Sequence, residues 1–371
     1  MKTIKLATVF SGIGAVEFAF KRLGIPHQIL FACDNGERII DYNRDEQLAA
    51  VRALKTPLEK KVYTENFYEK MTNKKNYVET SYLANYNVLE NAYYQDVCLL
   101  DGRDYTGQVD LFVGGSPCQS FSSVGFQAGL EDTRGTLFYE YARLIKEIQP
   151  KVFIYENVRN LINHDGGKTW SIIKSVFDSL GYNYTFEVLN SKDYGVPQNR
   201  RRLFVVGFKK FELFQMPQPV PLQSTMQDFS IERNSFGSIT YSKKGDLVFA
   251  NKPGFIEEKY FLTPKLYAYV MKGGTKTFYQ KPIIDLSVAR TILSTMGNRH
   301  RAGIDNYLTI DGRVRMLSER EAHRLMGFTD DYKIVVSRAQ AYKQAGNSIV
   351  VDVLMAILKN IVKTGVFGED K

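Results

Sequence analysis

Apolar runs and amphipathic segments alternate through the first half of the chain. The runs "TIKLATVF", "HQILFAC", "QVDLFVGG", "PKVFIYEN", "NYTFEVLN" and "RRLFVVGF" predict strands. The segments "GAVEFAFKRLG", "GTLFYEYARLIKEIQ" and "TWSIIKSVFDSLG" have the apolar spacing of helices. Strands that alternate with helices indicate βαβ units, so we expect an α/β fold with a doubly wound, mostly parallel sheet. Ligands of such sheets bind beyond the carboxyl ends of the strands, at the strand-to-helix turns.

Two stretches interrupt this alternation. Residues 41–95 are an insertion rich in Tyr, Asn and Lys, to which the sequence assigns no role. Residues 209–285 carry Pro, Gln, Ser and aromatic residues in irregular order, and they predict a smaller domain that extends to about residue 330. The segments "LSEREAHRLMGF" and "AGNSIVVDVLMAILKNIV" then predict helices, and we expect the second to pack back on the sheet. The predicted division is a large domain in 1–208, the small inserted domain, and a C-terminal segment in 331–371 that completes the large domain.

The composition is that of a soluble globular protein, with 44% hydrophobic and 24% charged residues among 371. No run of about 18 apolar residues is present, so we expect no membrane-spanning segment. The N-terminus "MKTIKLATVF" lacks the apolar region and cleavage site of a secretory signal. Cys33, Cys98 and Cys118 are odd in number and widely spaced, and the four histidines do not cluster, which argues against disulfides and a metal site. We therefore expect a cytoplasmic, reduced protein without a metal.

The charge of the chain changes this picture only a little. A net charge of +9 and a pI near 9.1 favour a polyanionic partner weakly, because many basic proteins bind no nucleic acid. The lysines of residues 41–95 could add affinity for phosphate, whereas the tyrosines there fit packing better than contacts to DNA.

The first strand-to-helix turn, "VFSGIGAVEFAF", carries Gly12 and Gly14. Glycines at this position let the backbone turn tightly and approach a nucleotide-like ligand at the start of the next helix. The third glycine of a dinucleotide-binding pattern is missing, and a plain tight turn explains the motif equally well. Asp34 ends the second strand, where a carboxylate can accept hydrogen bonds from the hydroxyls of a ribose. A turn or helix-capping role for Asp34 is an equal alternative.

The stretch "FVGGSPCQSFSSVGF" places Cys118 directly after Pro117, at the exit of a strand. A thiolate held there on a rigid turn could act as a nucleophile. Most free cysteines are small buried hydrophobic residues, which is the alternative. The polar residues around Cys118 would make a poor core and favour the first interpretation. The segment "SSVGFQAGLEDTRG" that follows reads as a loop able to close over a substrate.

Two further sets of polar residues stand at strand ends. Glu156 and Asn157 follow four apolar residues, and a half-desolvated carboxyl group there would have a raised pKa and could hold a proton near neutral pH. A helix-capping pair is the alternative. In "VPQNRRRLFVVGF", strand alternation puts Arg200 and Arg202 on one face, where they could grip phosphates or a negatively charged reaction centre. Protection of an edge strand is the alternative.

The blocks "GGSPCQSFS", "ENVRNL", "QNRRR" and "YKQAGNSI", in this order, closely resemble the C5-cytosine-specific DNA methyltransferases of bacterial restriction-modification type. The resemblance covers residues 1–40, 96–208 and 286–357, and fails across 41–95 and 209–285. It implies the class I S-adenosylmethionine-dependent methyltransferase fold, with residues 209–285 in the place of the target-recognition domain. One departure is Ala15, where many members have a further glycine.

The resemblance also implies roles for individual residues. Asp34 stands at the position of the ribose ligand, Asp96 and Val97 at that of the adenine contacts, and Cys118 at that of the nucleophile. Glu156 matches the carboxyl group that engages the target base, and Arg200 and Arg202 match its paired arginines. The remaining cofactor contacts implied are Phe10, Ser11, Gly12, Ile13, Gly14, Pro117, Leu137 and Asn347. Gln119, Ser122 and Arg134 are candidates for contacts to DNA.

The function implied is methyl transfer from S-adenosyl-L-methionine to C5 of a cytosine flipped out of duplex DNA, without a metal. A monomeric enzyme in the nucleoid-containing cytoplasm, with a possible cognate restriction endonuclease, is expected. One alternative is a tRNA methyltransferase of the same superfamily, against which stand the sizeable variable region and the Gly-Ser-Pro-Cys block, since the RNA enzymes resemble Pro-Pro-Cys there. A DNA-binding protein without catalysis is a second alternative, against which every catalytic position is filled.

Overall fold

A computed structural model describes residues 2–88, 93–117, 137–231, 238–250, 256–272, 274–275, 278–279, 281–296 and 303–368. Its strands are β1 (Ile4–Val9), β2 (His27–Cys33), β3 (Tyr93–Tyr94), β4 (Leu111–Gly114), β5 (Val152–Val158), β6 (Asn183–Asn190), β7 (Gln198–Asn199), β8 (Arg201–Phe208), β9 (Ser238–Tyr241), β10 (Leu247–Ala250), β11 (Gly274–Thr275), β12 (Phe278–Tyr279), β13 (Ala289–Arg290), β14 (Tyr307–Ile310) and β15 (Arg313–Met316). Its α-helices are α1 (Ala15–Leu23), α2 (Arg44–Ala53), α3 (Pro57–Met71), α4 (Tyr77–Asn85), α5 (Leu137–Ile148), α6 (Lys168–Ser179), α7 (Pro264–Val270), α8 (Glu319–Arg324), α9 (Arg338–Asn347) and α10 (Val351–Lys363).

Seven strands form the central sheet, in the order β3-β2-β1-β4-β5-β8-β6 within the described residues. Neighbouring strands from β3 to β5 are parallel, and β8 runs antiparallel to both β5 and β6. The predicted α/β fold with a doubly wound, mostly parallel sheet is therefore confirmed. The strand order reverses between β1 and β4, which is where ligands of such sheets bind.

The carboxyl ends of the parallel strands lie level with one another. Val9 at the end of β1 pairs with Cys33 on one side and with Gly114 on the other, and Gly114 pairs with Tyr155. Because the strand ends are level, the turns that follow β1, β2 and β4 meet at one edge of the sheet, close to the last residues of β5.

Two hydrophobic cores cover the two faces of the sheet. Successive strand residues alternate between the faces, so Val152 and Ile154 of β5 pack with α1 and α10, whereas Phe153 and Tyr155 pack with α5 and α6. The first core continues into the region after β8 through residues such as Ile239. The domain boundaries predicted from the sequence remain a prediction.

Arg22 of α1 ties together segments that are far apart along the chain. Its side chain is fully buried, and its guanidinium donates to both carboxylate oxygens of Asp352 in α10, at 2.9 and 3.0 Å. The same group donates to the carbonyl oxygens of Gly245 and Gly327. Removing one partner of such a buried pair is strongly destabilising, because the other charge is left uncompensated.

The single helix predicted over "AGNSIVVDVLMAILKNIV" is wrong, because α9 ends at Asn347 and α10 begins at Val351. Ser348 and Val350 have extended backbone between them, with ψ angles of 160° and 122°. The buried guanidinium of Arg200 accounts for the break, since it donates to the carbonyl oxygens of Gly346 and Ser348 at 2.9 and 2.8 Å. Those carbonyl groups are thereby satisfied outside a helix.

A stretch that contains α9 and α10 bears on the expectation that no segment spans a membrane. Within the described part of the chain, Arg338–Lys363 is long and apolar enough to cross a membrane by length and composition, with a mean hydropathy of 1.5 over its most apolar window. That window is 61% buried inside the protein, and α10 contributes to the core beside the sheet. The stretch therefore has the burial of a core element.

Candidate active site

The glycine turn after β1 is held in an unusual backbone conformation. Phe10, Gly12 and Gly14 all have positive φ angles, of 52°, 54° and 77°, which glycine adopts without strain. The carboxylate of Asp34 accepts a hydrogen bond from the backbone N–H of Gly12 at 2.9 Å, and Ser11 Oγ accepts one from the N–H of Cys33 at 2.9 Å. These contacts fasten the turn to the end of β2.

A pocket opens at this turn. A Cβ atom at Gly12 would meet nothing within 4 Å, so the absent side chain leaves room in the pocket. The lining residues are Thr8, Val9, Phe10, Ser11, Gly12, Ala15, Val16, Val113, Gly114, Gly115, Asn347, Ser348 and Ile349.

The start of α1 forms one wall of the pocket. Ala15 and Val16 line it, and no side chain caps the helix at Gly14. The first N–H groups of a helix have no partner within the helix, and they favour a negatively charged group. This wall therefore suits a carboxylate of a bound ligand.

The two acidic residues expected near a nucleoside lie at the ends of neighbouring strands. Asp34 follows β2, and its oxygens accept the N–H groups of Gly12 and Gly36, which is the turn role weighed above. Burial raises the pKa of Asp34 despite these bonds. Asp96 follows β3, next to β2, and is buried. Neither residue lines the pocket, and their contacts to a cofactor stay predictions.

Three more of the predicted cofactor contacts pack in or against the hydrophobic cores and do not line the pocket. Val97 is buried, and its carbonyl oxygen accepts a hydrogen bond from Arg143. Ile13 belongs to the core beside α1, and Leu137 begins α5 and packs at the edge of the second core. By contrast, Phe10, Ser11, Gly12 and Asn347 are brought together around the pocket.

Glu156 and Arg202 form an ion pair beside the pocket. Glu156 lies opposite Phe204 across β5 and β8, so Arg202, two residues away, shares its face of the sheet. The distance from Arg202 Nε to Glu156 Oε1 is 3.2 Å, and the side chains are 14% exposed for Glu156 and 19% for Arg202. Burial raises the pKa of Glu156, against the opposing charges of Arg202 and Arg200. A raised pKa favours the protonated form of this carboxyl group, which can donate a proton to a bound ligand.

Gly115 joins the pocket to this ion pair. It lines the pocket, and a Cβ atom at this position would lie 2.8 Å from the carbonyl oxygen of Glu156 and 2.9 Å from its Oε2. Only a residue without a side chain fits between the two sites.

Gly115→Ala is therefore expected to displace Glu156. We expect any activity that depends on Glu156 to fall at least about tenfold, and the free energy of unfolding to drop by about 1–3 kcal/mol, because the added methyl group overpacks a closed contact. Steady-state kinetics and chemical denaturation measure the two effects. An unchanged rate in the folded variant would show that Glu156 does not depend on this contact.

The segment that leads to Cys118 is anchored on β5. The side-chain amide of Asn157 donates to the carbonyl oxygen of Ser116 at 2.9 Å and to the Tyr155 hydroxyl at 2.7 Å. Ser116 Oγ and the Tyr155 hydroxyl also lie within hydrogen-bonding distance, at 2.8 Å. Pro117 is exposed. This network brings the chain next to Glu156 just before the predicted nucleophile.

Four predicted residues lie outside the described part of the chain, and their roles stay predictions. They are Cys118, Gln119, Ser122 and Arg134. The other two cysteines, Cys33 and Cys98, are free and buried, and burial raises the pKa of both thiols. Neither thiol is suited to attack a substrate, because the thiolate is the nucleophile. Within the described residues, no group of three or more His, Cys, Asp or Glu side chains could hold a metal ion.

Arg200 interacts electrostatically with Glu156 and Arg202, but its side-chain hydrogen bonds go to backbone carbonyl groups. It lies between β7 and β8, so strand alternation does not apply to it, and it is 4% exposed. Besides the carbonyl groups that end α9, it donates to that of Ile292 at 2.9 Å. Burial and the charge of Arg202 lower the pKa of Arg200 to about 9, so it remains charged at neutral pH. Its observed contacts hold the segment around Asn347 against the pocket.

Sequence reasoning missed the contacts that organise the site from a distance. Ser116 and Asn157 were visible only as polar neighbours of predicted catalytic residues. Tyr42 and Tyr68 of the insertion, whose hydroxyl groups contact Asp96, carried no signal beyond their residue type.

The sheet order, the glycine turn and the buried carboxyl group define an α/β fold with a ligand pocket at the carboxyl ends of its parallel strands. The family model described as C-5 cytosine-specific DNA methylase matches residues 46–363. The chain therefore belongs to the C-5 cytosine-specific DNA methylase family.

Individual relatives agree with this assignment. The type II methyltransferase M.HhaI of Haemophilus parahaemolyticus is 38% identical over 256 residues, which cover 68% of this chain and 75% of the relative. The type II methyltransferase M.HpaII of Haemophilus parainfluenzae is 34% identical over 311 residues, which cover 77% of this chain and 80% of the relative. The family predicted from the four sequence blocks is thereby confirmed.

Solved structures share the fold at lower identity. The S. pombe Dnmt2 methyltransferase superposes with a TM-score of 0.64 at 16% identity, covering 98% of this chain and 99% of that one. A putative DNA modification methyltransferase encoded within an E. coli prophage gives a TM-score of 0.61 at 19% identity, with the same coverage. At these identities the likeness shows the fold alone.

Proposed function

We propose that this chain transfers a methyl group from S-adenosyl-L-methionine to C5 of a cytosine that is flipped out of duplex DNA at a short specific sequence. The observation that carries the proposal is the junction at Gly115, which lines the pocket and touches Glu156. A cofactor site and a buried carboxyl group for a base thus share one wall, and the chain enters Cys118 directly from it.

The pocket has features that fit the cofactor. The space at Gly12 admits a ligand against the backbone, and the start of α1 suits the carboxylate of an amino acid. The part of the cofactor that lies in the pocket would be held by Phe10, Ser11, Gly12 and Asn347. Its nucleoside end would be held by Asp34 and Asp96. When bound, S-adenosyl-L-methionine supplies an electrophilic methyl group.

Cys118 carries the covalent step. C5 of cytosine is a weak nucleophile, so a bond from the Cys118 thiolate to C6 is needed to place electron density on C5. After C5 has gained the methyl group, a base removes the C5 proton. The electron pair of that C–H bond then re-forms the ring double bond as the bond from sulfur to C6 breaks. The hydrogen bond from Asn157 to Ser116 anchors the chain two residues before this thiol.

Glu156 holds the base during this step. A carboxyl group with a raised pKa can donate a proton to N3 and accept a hydrogen bond from the exocyclic amino group. Arg202 fixes the orientation of the carboxyl group through its contact to Oε1. Flipping the base costs a few kcal/mol, which contacts between protein and DNA must offset. Gln119, Ser122 and Arg134 are the residues we propose for such contacts.

We propose that residues 209–285 recognise the DNA sequence. We also propose that the chain is a monomer and acts in the cytoplasm, where the nucleoid lies. A restriction endonuclease that cuts the same sequence is the partner that the type II relatives suggest.

Binding to DNA is expected to weaken with salt. Lys and Arg contacts to phosphate release counterions, so log Kd rises linearly with log salt concentration, by about 0.9 for each phosphate neutralised. We expect at least a tenfold loss of affinity between about 50 and 200 mM salt, measured by fluorescence anisotropy with a labelled duplex. A flat response would argue against a cleft that follows the phosphate backbone.

Transfer of labelled methyl groups tests the proposal on purified components. S-adenosyl-L-methionine with a tritiated methyl group is incubated with the enzyme and either duplex DNA of mixed sequence or bulk tRNA. We expect label in the DNA, recovered as 5-methylcytosine after digestion. Label in tRNA alone would contradict the proposal and favour an RNA methyltransferase.

A further inference from the structure

The insertion between β2 and β3 packs against the cofactor turn. In α4, the Tyr82 hydroxyl donates to Glu17 Oε1 in α1 at 2.8 Å, and Ser81 donates to Gln344 in α9. The Tyr86 hydroxyl, just after α4, donates to the carbonyl oxygen of Gly14 at 2.6 Å. One insertion helix therefore contacts both the turn and the helix that carries Asn347.

The other end of the insertion is fixed by buried charge. Lys60 of α3 is 8% exposed at its side chain, and its Nζ lies 2.8 Å from Asp101 and 2.6 Å from Asp104. Lys60 is thus engaged with the protein and not available to DNA phosphate. Because both ends are docked, α3 is held firmly against the loop that follows β3.

Two tyrosines of this docked insertion reach Asp96. The Tyr42 and Tyr68 hydroxyl groups donate to Asp96 Oδ2, at 2.5 and 2.6 Å. Tyr68 is 2% exposed, and the guanidinium of Arg38 lies 4.8 Å from the centre of its ring. Burial and the charge of Asp96 raise the pKa of both phenols, so they remain protonated donors at neutral pH.

The hydrogen bonds to Asp96 leave one acceptor position on its carboxylate for a further donor. A carboxylate has about four acceptor positions. Within the described residues, the two phenols occupy Oδ2, and the N–H of Cys98 donates to Oδ1 at 2.9 Å. One position remains, on Oδ1. An acceptor of this kind pairs with an amino group and repels a carbonyl oxygen at the same place.

We propose that Tyr42 and Tyr68 of the insertion are positioning residues for the cofactor, which hold Asp96 so that its remaining acceptor position meets the exocyclic amino group of adenine. This inference rests on the proposed function, in which Asp96 binds the nucleoside end of the cofactor. The insertion thereby becomes part of the cofactor site, and it selects adenine over a base with a 6-oxo group.

Calorimetric titration with two ligands tests the inference without turnover. S-adenosyl-L-homocysteine carries the amino group, and S-inosyl-L-homocysteine carries an oxygen in its place. We expect the native chain to prefer the first by about a hundredfold or more, since an unmatched polar group is strongly rejected. In the Tyr42→Phe/Tyr68→Phe variant, affinity for the adenosyl ligand should fall about tenfold to a hundredfold. Affinity for the inosyl ligand should hardly change, so the preference for the adenosyl over the inosyl ligand should become smaller.

Tyr63→Phe is the matched control. Tyr63 also lies in α3, but its hydroxyl donates to Gln47 inside the insertion, at 2.8 Å. This variant should bind both ligands as the native chain does. The single variants Tyr42→Phe and Tyr68→Phe, each with an intermediate loss, replace the double variant if it does not fold, as judged by thermal unfolding.

Three results would overturn the inference. Unchanged affinity for the adenosyl ligand in the folded variants would show that the phenols do not act on binding. An equal loss for both ligands would show a structural role without base selection. A native chain that binds neither ligand would contradict the proposed function itself, and with it this inference.

Discussion

Replacing Cys118 by serine is expected to abolish methyl transfer and to leave cofactor affinity nearly unchanged. The rate should fall by at least about a thousandfold, because a hydroxyl group is not ionised near neutral pH and attacks C6 far more weakly than a thiolate. Affinity should persist, since the described lining of the pocket comes from the turn after β1, the end of β4, α1 and residues 347–349.

Two measurements on the same preparation separate these effects. Single-turnover transfer to duplex DNA gives the rate, and titration with S-adenosyl-L-homocysteine gives the affinity. Cys98→Ala is the control, because it removes a thiol that is buried in the second core, and it should retain most of the activity. Residual turnover above a few per cent in Cys118→Ser would refute the assignment of the nucleophile.

Glu156→Gln has the second largest expected effect. Glutamine keeps the shape of the side chain but cannot hold or deliver a proton, so the rate of transfer should fall by about 10²- to 10⁴-fold. Affinity for S-adenosyl-L-homocysteine should change by less than about threefold, because Glu156 faces Arg202 and Gly115 and does not line the pocket.

A second glutamate on the same sheet provides the control for this variant. Glu187 on β6 pairs with Phe204 from the side of β8 opposite to Glu156, and it is exposed. Glu187→Gln should transfer methyl groups at the native rate. A comparable loss in both variants would indicate a general disturbance of the sheet, and a native rate in Glu156→Gln would contradict its role at the base.

The central sheet could be predicted because short runs of sequence indicate its strands and the ends of its helices. The run "HQILFAC" coincides with β2, and Gly24 ends α1 in a left-handed conformation, as a glycine at a helix end often does. The three helices of the insertion could not be predicted with the same ease. The apolar residues of α3 are scattered around the helix, and its stability comes from contacts such as the buried pair of Lys60 and Asp101.

In the candidate site, too, some residues could be predicted from sequence and others could not. Gly12, Asp34 and Glu156 could be proposed from sequence because each lies near the carboxyl end of a strand. The role of Arg200 could not, since its partners are carbonyl groups 92 to 148 residues further along the chain. Alternation along a strand predicts a shared face for two residues only while the strand is continuous, and Arg200 lies outside β8.

Bisulfite sequencing of genomic DNA from a methylation-free host that expresses the chain tests the central claim most directly. The account predicts unconverted cytosines confined to one short motif, and their absence when Cys118→Ser is expressed. Complete conversion of cytosine with a folded, expressed protein would contradict it.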